Sequence, residues 1–158
     1  SERGSITGIY TVLVEGDDLN EPIGDTARSI LDGHVSLSRD LATAGHFPSI
    51  DVLHSVSRVA PAITTAEQRE LARSLRELLA VHRDARDLVD IGAYVPGANP
   101  LLDRALARWG AITGFLRQDM AELVPAERAW RELAAALQGG PTAAPLDAMG
   151  STGTEPPR

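Results

Sequence analysis

Every strand-favouring segment of this chain lies before residue 61, and every segment after it carries apolar residues at helical spacing. A sheet needs a period near two and a helix one near 3.6, so one continuous layer cannot serve both halves. The chain therefore reads as an α/β part followed by an all-α part. Ser5 to Val14, SITGIYTVLV, has seven of ten residues that are β-branched or Tyr. Without clean apolar and polar alternation it suits a strand covered on both faces, as in a parallel sheet. Glycine, acids and proline then mark a loop, Glu15 to Pro22. Pro22 fits the first turn of a helix carrying Ile23, Ala27, Ile30 and Leu31, which Gly33 stops. His34 to Ser38 reads as a short strand. Ser38 caps a brief helix through Leu41 that ends at Gly45, and His46 to Arg58 is expected to be looped, broken by Pro48.

Beyond Pro61, Thr64 with Glu67 or Thr65 with Gln68 offers a capping box. Leu71, Leu75, Leu78 and His82 follow on one helical face. Arg73/Glu77, Arg83/Asp87 and Arg86/Asp90 are spaced for ion pairs on a solvated face. Gly92, Pro96 and Gly97 end that helix. Asn99-Pro100 opens the next, with Leu101, Leu102, Ala105 and Leu106, and Ala111 to Met120 reads as another. Pro125 opens a last helix with Ala129, Leu133, Ala136 and Leu137 on one face. From Gly139 to Arg158, eight of twenty residues are Gly or Pro, so a disordered tail is expected there.

At 158 residues the chain holds one domain or two small ones. Cysteine is absent, which removes disulfides, thiolate metal sites and a cysteine nucleophile. Lysine is absent too, since all 15 basic residues are arginine. A phosphate-loop lysine and a Schiff-base lysine are thereby excluded from this chain. The net charge of −7 and pI near 5.0 lack the basic footprint of a nucleic-acid binder. No apolar run is long enough for a membrane-spanning helix, and residues 1–4 lack signal-peptide character. With no initial methionine, the chain is expected to begin inside a longer protein.

His34, His46, His54 and His82 have no metal-ligand spacing, so no metal site is expected from this chain. Ser55 and Ser57 lie near His54 but form no nucleophile elbow. The acidic stretch Asp17-Asp18-Leu19-Asn20-Glu21 follows a strand, where α/β sheets place ligands, yet a plain turn is the better account of it. From residues alone, no reaction can be named.

Three strings in order, GSITGIYTVLVEGDDLNEPIGDTARSILDGH, SLSRDLATAGHFPSIDVLHSVSRV and DLVDIGAYVPGANPLLDRAL, resemble the C-terminal part of the ATPase that energises flagellar and type III protein export. This family is homologous to the subunits of rotary F- and V-type ATPases. The resemblance covers about residues 1–137, and GAYVPGANPLLDRAL looks more like the flagellar branch. It implies three parts: residues 1–61 as the C-terminal portion of a RecA-like nucleotide-binding core, 62–138 as a helical C-terminal domain, and 139–158 as the tail. The family's phosphate loop, catalytic glutamate and Mg²⁺-holding aspartate have no counterpart here.

By the same resemblance, Arg58 in Ser55-Val56-Ser57-Arg58 matches the arginine finger that reaches into a neighbouring protomer's site. Phe47 in His46-Phe47-Pro48 matches an aromatic that stacks on adenine. Phe115 falls where the helical domain closes the adenine pocket; Asp119 and Met120 follow where relatives carry a further aromatic, and core packing is the alternative for Phe115. The implied ligands are ATP and Mg²⁺, bound mainly by parts missing from this chain. The implied partners are homo-hexamer neighbours, a central stalk protein, a regulatory protein and export chaperone–cargo complexes. No nucleic acid is expected. The implied location is cytoplasmic, peripheral to a membrane export gate. The fragment alone is expected to be inactive. A catalytic subunit of a proton-translocating ATP synthase and a non-catalytic partner-binding module remain the alternatives.

Overall fold

The computed structural model describes Gly4, residues 6–14 and residues 22–139. The acidic stretch 17–21 and the tail beyond Gly139 lie outside the described residues. The elements are helix α1 (Pro22–Ile30), strand β1 (Gly33–Leu37), helix α2 (Arg39–Thr43), strand β2 (Ile50–Ser57) and helices α3 (Ala60–Ile63), α4 (Ala66–Asp90), α5 (Pro100–Leu116) and α6 (Ala126–Gln138).

Two expectations for the first sixty residues are corrected. Residues 6–14 form no strand. Ile6 is 99% exposed and Leu13 91%, so among the described residues this segment has neither a neighbouring strand nor a covering layer. A strand is stable only through partners, and propensity alone does not supply them. The stretch read as a loop, 46–58, contains β2. It pairs antiparallel with β1, with Gly33 opposite Ser57 and Leu37 opposite Ile50. The described sheet is thus a two-stranded antiparallel pair, not a parallel one.

The local signals at Pro22 and Ser38 hold. Pro22 opens α1, and Ser38 Oγ accepts the Leu41 N–H at 3.3 Å to cap α2, with Gly45 beyond at φ 67°. Gly33 does not stop α1, which ends at Ile30. Its role is spatial: a Cβ there would meet the Val56 carbonyl oxygen at 2.6 Å, inside contact distance. No side chain fits where β1 runs this close to β2.

The second half is a three-helix bundle. Of the two possible capping boxes, Thr65 with Gln68 is the one formed. Leu75 and Leu78 of α4, Ala105 and Ile112 of α5, and Leu133 and Leu137 of α6 make the core. Burying such aliphatic side chains is worth roughly 1.5–3 kcal/mol each against leaving them exposed. Asn99 caps α5 by accepting the N–H groups of Leu101 and Leu102. The two helices expected between Asn99 and Met120 are one, continuous through Gly110 and Gly114 and ending at Leu116. Glycine lowers helix propensity by about 1 kcal/mol, which the buried face of α5 outweighs. Arg73/Glu77 and Arg86/Asp90 form as spaced, whereas Arg83 pairs with Asp84 rather than Asp87.

Candidate functional site

Phe47 sits between α2 and β2, is 58% exposed and is joined to Pro48 by a cis peptide. Its carbonyl accepts the Gln118 N–H at 3.0 Å, two residues past the end of α5. The preceding His46 is buried against the same segment. Burial, and next the nearby Arg117 guanidinium, hold its imidazole below the usual histidine range, although a hydrogen bond with the Leu116 backbone works the other way. The His46-Phe47-Pro48 element is therefore docked on the C-terminal end of α5, the helix that carries Phe115. Phe115 itself is half-buried and packs against the bundle core.

Arg58 follows the last residue of β2. Its main-chain N–H donates to the Asp32 carbonyl at 2.8 Å, and its Nη2 donates to the Arg28 carbonyl at 3.2 Å. It lines an open hollow of about 540 Å³ together with Asp25, Arg28, His34 and Val56. Arg58 and Phe47 lie at opposite ends of the β1–β2 pair. The step from Gly33 to Leu37 alone spans roughly 13 Å at about 3.3 Å per residue. The structure thus draws Phe47 and the Phe115-bearing end of α5 together and leaves Arg58 apart from both.

Between them β2 is irregular. His34 pairs with Val56 and Ser36 with Asp51, so a two-residue step in β1 faces a five-residue step in β2. The bulge is closed by His54 and Ser55, read from sequence only as metal-ligand and nucleophile candidates, and by Asp51 and Arg76, which the sequence alone does not single out. Asp51 Oδ1 accepts the N–H groups of Leu53 (2.9 Å) and His54 (3.0 Å), and Asp51 Oδ2 pairs with His54 Nδ1 at 2.7 Å. Burial pushes the Asp51 carboxyl up, but the hydrogen bonds and charge of His54 together with the Leu53 N–H outweigh it and hold it below the ordinary carboxylate range. Ser55 Oγ donates to the Asp51 carbonyl and accepts the Ser36 N–H. Arg76 of α4 donates to three bulge carbonyls. An aspartate preceding an Asx turn is a sequence signal of this kind; Arg76 carries none, since its partners lie more than twenty residues away.

Among the described residues no group of three His, Cys, Asp or Glu could hold a metal ion, and no helix is long and apolar enough to cross a membrane.

Two family models divide the chain. Residues 64–135 match the T3SS EscN ATPase C-terminal domain, and residues 1–57 match the nucleotide-binding domain of the ATP synthase alpha/beta family. The chain belongs to the flagellar and type III export ATPase family. Within that family it is 51% identical over 122 residues to the SPI-2 type 3 secretion system ATPase of Salmonella typhimurium, covering 77% of this chain and 28% of that protein. It is 49% identical over 119 residues to the flagellum-specific ATP synthase of the same organism, covering 75% and 26%. Among solved structures, the assembled ATPase EscN of the enteropathogenic E. coli type III secretion system aligns with a TM-score of 0.83 at 39% identity, over 87% of this chain and 33% of that one. EscN in complex with its central stalk EscO aligns at 0.70 and 36% identity, over 73% and 29%. The export ATPase family thus matches this chain as its C-terminal part, and the chain spans less than a third of those relatives' length.

Proposed function

We propose that this chain works as the C-terminal part of a hexameric ATPase that energises type III protein export. In this reading residues 1–61 complete the nucleotide-binding core, residues 62–138 form the helical domain, and residues 139–158 are a tail. The observation that carries it is the docking of His46-Phe47-Pro48 on the end of α5, with Arg58 held apart at the other end of the strand pair. That is the arrangement expected if the adenine contacts and the arginine serve two different sites of a ring.

The residues present fit part of that task. Phe47 offers an exposed aromatic face on which a base can stack, with Phe115 nearby on α5. Among the described residues the Arg58 guanidinium makes one hydrogen bond, to a neutral carbonyl, which leaves its planar fork of donors for an anionic partner. Phosphoryl transfer spreads charge over the equatorial oxygens of the transferred group, and a guanidinium in place beforehand stabilises that charge without reorganisation. The sequence has no lysine for a phosphate loop, and among the described residues no group of three His, Cys, Asp or Glu could hold a metal ion. ATP phosphates and Mg²⁺ would be held by segments this chain does not contain, with Mg²⁺ neutralising charge on the β- and γ-phosphates.

The exposed apolar residues of segment 6–14 support a chain that works against further structure. The similar EscN assembles, and binds a central stalk, which supports ring neighbours and a stalk as partners here. A regulatory protein, chaperone–cargo complexes and a place at the cytoplasmic side of a membrane gate complete the proposal. Similarity to the flagellar and virulence relatives is nearly equal, so the proposal is export in general. Steady-state ATPase assays test it. The full-length ring should turn over, and the 158-residue chain alone should not, since Arg58 there has no phosphoryl group to act on. Turnover by the purified chain alone would overturn the assignment of the phosphate and metal sites to other segments.

A further inference from the structure

Arg76 projects from α4 onto β2. Its Nη1 donates to the carbonyls of Val52 (2.7 Å) and Ser55 (3.1 Å), and its Nη2 to that of Leu53 (3.0 Å). All three belong to the bulge that breaks the β1–β2 register. A bulge removes ladder partners, and carbonyls so displaced need other donors. One guanidinium supplies them, and charge-assisted hydrogen bonds are the stronger kind. On the opposite side Asp51 takes the N–H groups of Leu53 and His54, and Ser55 ties the bulge to Ser36 of β1. The Val52 side chain packs on the bundle core at the same place. Three residues beyond the last clamped carbonyl stands Arg58.

Resting on the reading of Arg58 given above, we propose that Arg76 is a positioning residue for Arg58. By fixing the bulge it sets where β2 ends and hence where the finger stands. It also makes α4, and with it the helical bundle, the body to which the finger is referred, so a movement of the bundle moves Arg58. Geometry at a reacting group is demanding: a misplacement of about 1 Å can cost on the order of 10²-fold in rate.

The test uses the full-length enzyme with Arg76→Ala, Arg76→Lys, Arg58→Ala and the double variant Arg58→Ala/Arg76→Ala. The readouts are kcat, KM for ATP and hydrogen exchange. Arg76→Ala should lower kcat by on the order of 10–100-fold with KM little changed. Exchange should quicken at 52–58 while α5 and α6 keep their protection. Arg76→Lys should recover part of the loss, since an ammonium reaches some of the carbonyls but lacks the planar fork. The double variant should be no slower than Arg58→Ala, because Arg76 acts through Arg58. Retention of more than about half of kcat in Arg76→Ala would overturn the proposal, as would an equal factor lost in the Arg58→Ala background. If Arg76→Ala fails to fold, Arg76→Lys alone and combined with Arg58→Ala carries the same comparison. If Arg58→Ala itself leaves kcat intact, the finger reading fails and the positioning role with it. The exchange at 52–58 then still reports separately whether Arg76 holds the bulge.

Discussion

At the scale of single residues, the two aromatics and the arginine should separate by what they change. Phe47 has its ring exposed and its backbone fixed by Gln118. Phe47→Ala in the full-length enzyme should weaken ATP affinity by roughly 1–3 kcal/mol with a smaller effect on kcat. Equilibrium nucleotide binding measures this, and unchanged affinity would remove Phe47 from the adenine pocket. Two histidines make a prediction about pH. His46 is held below the ordinary histidine range chiefly by burial and then by Arg117. His82 is lowered likewise by burial and then by Arg86, with Asp90 opposing, and its ring stacks on Trp109 at 3.4 Å. Both therefore bind a proton more readily when unfolded. Their contribution to stability is full above the unfolded pKa, near about 6.5, and is lost as pH falls below it. Asp51, also lowered, adds a further loss of stability in the carboxylate range as its proton is taken up on unfolding. Urea unfolding of the chain at about pH 7.5 and about pH 5.5, on either side of that range, should show lower stability at the acid side. A double His46→Gln/His82→Gln variant should flatten that difference. An equal pH dependence in the variant would contradict the assignment. The setting of His46 and the Trp109 stack on His82 are not legible in sequence, because they depend on contacts between distant elements.

At the scale of elements, helices are more legible in this sequence than strands, for physical reasons visible in particular segments. A helix satisfies its backbone within itself, so the Thr65–Gln68 box, Asn99 and the apolar spacing of α4 and α6 locate them directly. Two helices are expected on either side of Gly110, with Gly114 inside the second, yet one helix with a buried face runs through both glycines. The bulge hides β2, because it disrupts the alternation that marks a strand. Segment 6–14 has the right residue types and no strand partner among the described residues. Of the candidate site, the resemblance implies that Phe47 and Phe115 share a pocket, while the Gln118 hydrogen bond that docks Phe47 on the end of α5 emerges only in three dimensions. Gly110 and Gly114 yield a test: both are exposed in α5, and a methyl group added at either would meet open space. Replacing either by Ala should stabilise the chain by roughly 0.5–1 kcal/mol through helix propensity. Thermal unfolding reads this, and destabilisation would mean that something packs on that face. Gly33→Ala should behave oppositely, because its Cβ would strike the Val56 carbonyl, and should loosen the β1–β2 pair next to Arg58.

At the scale of the whole molecule, the helical bundle owns the buried core, while apolar side chains on segment 6–14 and on β1 face outward. Stability should follow that division. Hydrogen exchange on the chain should show α4, α5 and α6 well protected and residues 6–14 exchanging quickly; uniform protection would argue for a complete first domain. In the proposed ring this chain would lend Arg58 to a neighbour's phosphoryl transfer, a role that the exposed surfaces and the two separated site elements fit. The most direct measurement of that claim is kcat of the full-length enzyme carrying Arg58→Ala, with nucleotide binding checked alongside. Arg58→Ala should leave binding near normal and lower kcat on the order of 10³–10⁵-fold, or roughly 4–7 kcal/mol of transition-state stabilisation. A variant that binds nucleotide and keeps more than about a tenth of wild-type kcat, where a finger should cost on the order of 10³, would contradict that claim.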